Sequence, residues 1–240
     1  PKLLDRPDLI ESFEEGRLFG AELIQALGCI PNEYLHYYYY SRDYLNADQA
    51  TEQTRGVFLE AQQSRFYDGL GGTESALTLW ENTRLEREAT YMATNRAAAG
   101  SFEREESDLQ SGGYDKVALA IMHAIANDVP AELILNVANN GLIAGLADDA
   151  VVEVPCLVDG RGVRPLAQPS LPEHAQGMVI NAKYVERCTI EAAVNQSRNA
   201  ALLALLHHRL IDSFTVANDL LDDLVKNFPE LSYLQENANV

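Results

Sequence analysis

The sequence predicts an α+β fold that is mainly helical, with one small sheet. Apolar residues recur at helical spacing over much of the first 127 positions. Two short β-branched or apolar runs, 132–137 and 150–158, stand between turn residues. Helical spacing then returns from 172 to 227. No internal repeat or low-complexity stretch appears beyond a run of tyrosines.

Residues 8–28 carry Leu9, Phe13, Leu18, Leu23, Ile24 and Leu27 on a helical stripe, with Gly28 as its stop. After Pro31, the stretch Asn32-Glu33-Tyr34-Leu35-His36-Tyr37-Tyr38-Tyr39-Tyr40 predicts a second helix. Residues 48–68 predict a polar helix bearing Arg55 and Arg65, ended by Gly69, Gly71 and Gly72. Residues 74–99 have the Ala, Glu, Leu and Arg content of a good helix. A charged run from Glu103 to Asp108 leads to Ser111-Gly112-Gly113-Tyr114 and a helix over 115–127.

The strand at 132–137 ends in the turn Asn139-Asn140-Gly141. The strand at 150–158 meets Asp159-Gly160-Arg161-Gly162, a hairpin turn, and Val163 to Leu166 returns from it. Residues 172–227 predict two long helices, the second from about Ser197.

The 240 residues carry 18 Lys and Arg against 36 Asp and Glu, a formal charge of -18. That field repels nucleic acid phosphates and anionic membranes, so neither is an expected partner. No run reaches the roughly 20 apolar residues needed to span a bilayer, and no secretory signal opens the chain. Cys29, Cys156 and Cys188 are far apart, without C-x-x-C. Reduced thiols in a cytoplasmic protein are the expectation. The chain begins at Pro1, which fits a piece of a longer protein.

On a continuous helix Tyr34, Tyr37 and Tyr38 share one face at i, i+3 and i+4. Aromatic core packing is the plain reading. The sharper one is a proton carrier, which needs a nearby cation or metal because a phenol ordinarily ionises near pH 10. Arg55, in Glu52-Gln53-Thr54-Arg55-Gly56, is either a surface arginine or a clamp for phosphate or carboxylate. Gly112-Gly113 before a helix is either a plain entry turn or an anion cradle. His123 reads as a core histidine, and His207-His208 as structural or solvated. No H-E-x-x-H, G-x-S-x-G or G-x-G-x-x-G occurs. No pair of carboxylates stands out as an acid/base couple.

Several blocks together resemble glycoside hydrolase family 4. They are Gly28-Cys29-Ile30-Pro31-Asn32-Glu33-Tyr34-Leu35-His36-Tyr37-Tyr38-Tyr39, Thr54-Arg55-Gly56, Gly112-Gly113-Tyr114 with Ala118 to Ile125, and Asn136 to Ile143 leading into Val151-Val152-Glu153-Val154-Pro155. The last is Pro165-Leu166, Leu171-Pro172, Glu191-Ala192-Ala193 and Ala201 to Leu205. The order and spacing of the blocks run across nearly all of the chain.

The resemblance implies that residues 1–240 form a substrate-binding and oligomerisation domain similar to the C-terminal domain of lactate and malate dehydrogenases. The NAD-binding Rossmann domain would lie outside them. It implies a glycosidase acting on 6-phospho-glucosides, of the β branch by its Tyr-Leu-His-Tyr-Tyr-Tyr stretch, with NAD and a divalent metal, manganese, in the full-length enzyme. In the implied cycle the sugar C3 hydroxyl is oxidised with NAD as hydride acceptor. The new ketone acidifies the C2 proton, a tyrosine removes it, and the C1 group is eliminated before water adds. A metal nearby also lowers a phenol's pKa.

The family's P-x-x-Y-L-x-Y-Y pattern puts the base at Tyr34, with Tyr37 and Tyr38 as the fallback residues near the substrate. It also puts Arg55 at the substrate's phosphate or reacting hydroxyls. The family's metal-binding cysteine and histidine match nothing from Pro1 onward, so no metal ligand is assigned here. A homo-oligomer is expected, a phosphorylated disaccharide or glucoside is the expected ligand, and these residues alone are expected to be inactive. A non-catalytic oligomerisation or sugar-binding module on the same fold is the alternative. A lactate- or malate-type dehydrogenase is disfavoured by the lack of its histidine motif.

Overall fold

A computed structural model describes residues 3–51, 53–72, 75–100, 102–104 and 114–235. The chain divides into two compact units, Pro1–Ser111 and Gly112–Val240. Residues 105–113, including the Gly112-Gly113 pair, lie outside the described residues.

The described part of the first unit is helical. Helices α1 (Pro7–Ile10), α2 (Glu14–Phe19) and α3 (Ala21–Leu27) occupy the stretch that reads as one helix in sequence. Two backbone features break it. Phe13 is extended and Gly20 takes φ 75°, outside the helical region. Gly28 stops α3 in the left-handed conformation at φ 68°, as its position predicts.

The tyrosine run opens as a single 3-10 turn, Glu33–Leu35, capped by the Asn32 side chain, which accepts from Tyr34 N at 3.0 Å. It continues as α4 (His36–Tyr39) and α5 (Ser41–Gln49). Thr54 caps α6 (Arg55–Gly69) and Ser75 caps α7 (Ala76–Ala89), each hydroxyl accepting from the amide three residues on. The predicted helix at 74–99 is split before α8 (Ala93–Ala98). There Met92 sits at φ 50°, a conformation that L residues rarely adopt. The core of this unit gathers Ile10, Leu18, Phe19, Ile24 and Met92, with Tyr37, Tyr39, Tyr40 and Tyr91 packed around it.

In the second unit, α9 (Tyr114–Asn127) precedes strands β1 (Ala131–Ala138), β2 (Val151–Asp159) and β3 (Gly162–Pro165). The sheet is antiparallel in the order β1-β2-β3. Leu135 pairs with Val154, and Asp159 with Gly162 across the two-residue turn. Val152, Val154, Cys156 and Val158 point inward while Val151, Glu153 and Pro155 face outward, the period-two pattern of a half-buried strand. The buried Asn139 closes the loop after β1. Its Nδ2 donates to the carbonyls of Ile143 and Leu146, and its Oδ1 accepts from Ile143 N.

On α9 only Ala124 is buried. His123 is exposed, which corrects its reading as a core histidine. Three α-helices follow among the described residues, α10 (Glu173–Val194), α11 (Arg198–His207) and α12 (Phe214–Asn227), and then a 3-10 turn at Pro229–Leu234. The third arises because Ser213 caps a fresh start, accepting from Val216 N. Ala192, Ala200, Ala201, Leu221, Val225 and Leu234 form their core. No helix among the described residues is long and apolar enough to cross a membrane.

Candidate functional site

A cavity of about 490 Å³ opens within the first unit. Tyr34 and Tyr37 come to it from the tyrosine run, Tyr44 and Asp48 from α5, and Arg55 and Phe58 from α6. Thr90 and Tyr91 come from the turn after α7, and Asn95 from α8. Tyr34, Tyr37 and Arg55, separated by up to 21 positions in sequence, thus share one concave surface.

Tyr38 does not line this cavity. Its ring packs edge-on against Tyr39, with centroids 5.3 Å apart. The i, i+3, i+4 rule assumes a continuous α-helix. Opening the run with a 3-10 turn, at three residues per turn, keeps Tyr34 and Tyr37 aligned and rotates Tyr38 away.

Tyr34 is 58% exposed. Its hydroxyl accepts a hydrogen bond from the Tyr91 hydroxyl at 2.7 Å. Glu33 Oε1 lies 3.4 Å from the same Tyr91 oxygen. Burial pushes the Tyr91 phenol well up, and the hydrogen bond to Tyr34 and the charge of Glu33 push it further. Tyr37 stands edge-on to Tyr44 at 4.8 Å. Burial raises its pKa too, helped by Tyr34 and Asp48, with Arg55 opposing. Tyr44 is pushed up to about 12 by burial and by Asp48.

The Arg55 guanidinium donates to the Thr90 hydroxyl and, at 3.2 Å, to the Arg87 carbonyl. It also lies over the Phe58 ring at 5.4 Å. Burial and the neighbouring Arg87 draw its pKa down, while Glu88, Tyr37 and Tyr91 hold it up. It remains a cation, since an arginine side chain is in effect always protonated in a protein. A fixed cation beside phenols is the environment in which negative charge on a phenol oxygen is tolerated.

Arg65 is not part of this surface. It pairs with Glu86 at 3.0 Å, next to Gln62, which donates to the same carboxylate at 2.7 Å. His36 is fully buried and stacked on Tyr40 at 4.5 Å. Thr90, Tyr91 and Asn95 carry no sequence signal. They reach the cavity only because α7 and α8 fold back beside the tyrosine run.

Among the described residues, no group of three or more His, Cys, Asp or Glu is placed to hold a metal ion. With no G-x-G-x-x-G in the sequence, these residues do not by themselves fit a manganese site or a dinucleotide cradle.

Comparison with known proteins identifies the family of the chain. Residues 1–211 match the family 4 glycosyl hydrolase C-terminal domain. The chain is 29% identical over 212 residues to a probable 6-phospho-beta-glucosidase of Bacillus subtilis (strain 168), covering 88% of this chain and 43% of that protein. It is similar in fold to the 6-phospho-beta glucosidase from Thermotoga maritima solved with manganese, NAD+ and glucose-6-phosphate. That match has a TM-score of 0.66 and 25% identity, over 93% of this chain and 47% of the other. It is also similar to a 6-phospho-alpha-glucosidase from gut microorganisms in complex with NAD and glucose-6-phosphate. Here the TM-score is 0.59 and the identity 26%, over 98% of this chain and 46% of the other. The chain thus spans less than half the length of these relatives. A match to the family domain over 211 of the 240 residues means that the chain belongs to the family 4 glycosyl hydrolases, as their C-terminal domain.

Proposed function

We propose that these residues form the substrate-binding part of a 6-phospho-β-glucosidase that uses NAD and manganese held by other residues of the complete enzyme. The dinucleotide and metal would supply the oxidation at C3 and the Lewis acidity that make the neighbouring C2 proton removable. This chain's part is to hold the phosphorylated sugar and take that proton. In this reading Tyr34 is the base, and Arg55 binds the 6-phosphate or the reacting hydroxyls. Tyr37 offers its hydroxyl to the sugar as a hydrogen-bond partner, and Tyr38 supports the run from outside the cavity.

The observation that carries the reading is the convergence of Tyr34, Tyr37 and Arg55 on one cavity of about 490 Å³, with Tyr34 an exposed residue. A core tyrosine would be buried, whereas a base must reach its substrate. The β assignment is supported by the Tyr-Leu-His-Tyr-Tyr-Tyr stretch and by the Bacillus relative. Parallel assays on α- and β-linked 6-phosphoglucosides test it.

Three widely spaced cysteines without a C-x-x-C motif fit a cytoplasmic enzyme. Exposed apolar side chains such as Leu77, Trp80 and Met122 support self-association into a homo-oligomer. Residues 1–240 alone are expected to be inactive, because a hydride acceptor is required and the sequence carries no G-x-G-x-x-G to hold a dinucleotide.

Tyr34→Phe in the complete enzyme tests the function. The kcat should fall by about 10²–10⁴, as for loss of a general base, with KM within about threefold and thermal stability unchanged. A stability loss with normal kcat would instead make the residue structural.

A further inference from the structure

We infer that Tyr91 is a positioning residue for the base: its hydroxyl donates to the Tyr34 oxygen and steadies negative charge there during proton removal. This rests on the proposed role of Tyr34. The carrying observation is the 2.7 Å contact between the two hydroxyls, 57 positions apart.

The protein holds Tyr91 in place from several sides. It lies in the turn between α7 and α8, just before Met92 in its left-handed conformation at φ 50°. Backbone held in a rarely populated conformation persists only when its surroundings fix it. Here the buried Arg96 does so, its guanidinium donating to the Tyr91 carbonyl and, at 2.7 Å, to the Ala89 carbonyl. Arg104 lies over the Tyr91 ring at 5.4 Å and pairs with Glu14 and Glu88. The residue before it, Thr90, accepts from Arg55. A single turn therefore supports both the base and the cation of the site.

The direction of the proton follows from charge. Burial, Tyr34 and Glu33 all disfavour loss of the Tyr91 proton, so Tyr91 stays protonated and donates. It has one proton and two acceptors within reach, Tyr34 at 2.7 Å and Glu33 at 3.4 Å. Negative charge on the Tyr34 oxygen favours the shorter bond, since hydrogen bonds to charged groups are about twice as strong as neutral ones. Glu33 competes for the same proton and adds an opposing charge. Arg55 and Arg104 supply positive charge around this pair, with Glu88 beside Arg104. Tyr37 and Asp48 face it across the cavity.

The test is the pH dependence of solvent-deuterium exchange into C2 of glucose 6-phosphate, in the complete enzyme with NAD and manganese. Tyr91→Phe should move the acidic limb of that profile up by about one pH unit. On the acidic side of the limb exchange should be about tenfold slower, and it should recover at higher pH with KM unchanged. Glu33→Gln, which frees the Tyr91 proton and removes a negative charge, should move the limb down.

An unmoved limb in folded Tyr91→Phe, or a loss equal at every pH, would overturn the inference. If Tyr91→Phe does not fold, Glu33→Gln decides, and a limb that stays or rises would overturn it. Tyr34→Phe separates this from the parent reading. Exchange that survives in Tyr34→Phe refutes the base, whereas exchange lost there with an unmoved Tyr91→Phe limb refutes only the positioning role.

Discussion

Asn95 Nδ2, on a residue that lines the cavity, lies 3.0 Å from Nδ1 of the buried His36. The pairing suits a neutral imidazole that accepts on Nδ1. Burial depresses the His36 pKa from 6.5 to about 4, against a smaller opposing pull from Asp43. Between those values the unfolded chain takes up a proton that the folded chain refuses, so stability falls as pH drops from 6.5 toward 4. Allowing for solvent screening, the loss is about 2 kcal/mol at pH 4. Thermal unfolding midpoints from pH 7.5 to 4 measure it. His36→Gln keeps an acceptor for Asn95, removes the titration, and should flatten that part of the curve.

Arg55 is held by the Thr90 hydroxyl and the Arg87 carbonyl while it faces the cavity. A lysine keeps the charge but loses the planar fork. Arg55→Lys should raise KM for a 6-phosphoglucoside by at least about tenfold, the scale of one charged hydrogen bond, with a smaller change in kcat. Steady-state kinetics over a range of substrate concentration separates the two.

Tyr37 lines the cavity and Tyr38 does not. Tyr37→Phe should raise KM by about threefold to tenfold, the worth of one neutral hydrogen bond, and leave kcat within about twofold. Tyr38→Phe should leave both within about twofold. Comparing the two variants in one assay tests whether the 3-10 opening of the run, rather than helical spacing, decides which tyrosine meets substrate.

Gly16 packs its backbone against the end of α1. A Cβ added there would fall 1.6 Å from the Ile10 carbonyl oxygen, which only a backbone shift can relieve. Gly16→Ala should cost about 3 kcal/mol of stability, read by chemical denaturation. KM should stay within about twofold in the folded fraction, because neither Gly16 nor Ile10 lines the cavity.

What was legible in sequence follows the range of the forces involved. The β1 and β2 strands and the turn at Gly160-Arg161 are written in local patterns of alternation and turn residues, and they stand where expected. Helix breaks were harder. Phe13 and Met92 look like ordinary helix residues, yet one is extended and the other left-handed, both set by tertiary packing. Helical spacing alone predicts two long helices over 172–227, and the cap at Ser213 divides the stretch into three. In the cavity, Tyr34 and Arg55 rest on the family pattern. Tyr91, Thr90 and Asn95 were invisible, because their roles depend on contacts that cross 35 to 59 positions of chain.

The central claim is that the Tyr34 oxygen receives the proton from the sugar carbon. Deuterium incorporation at C2 of glucose 6-phosphate, followed by NMR in D2O with saturating NAD and manganese, addresses it directly in Tyr34→Phe. Incorporation should fall by about 10³, within the range for removal of a general base, while the sugar phosphate still binds with unaltered affinity. Incorporation at the rate of the unsubstituted enzyme would contradict the claim and move the base elsewhere.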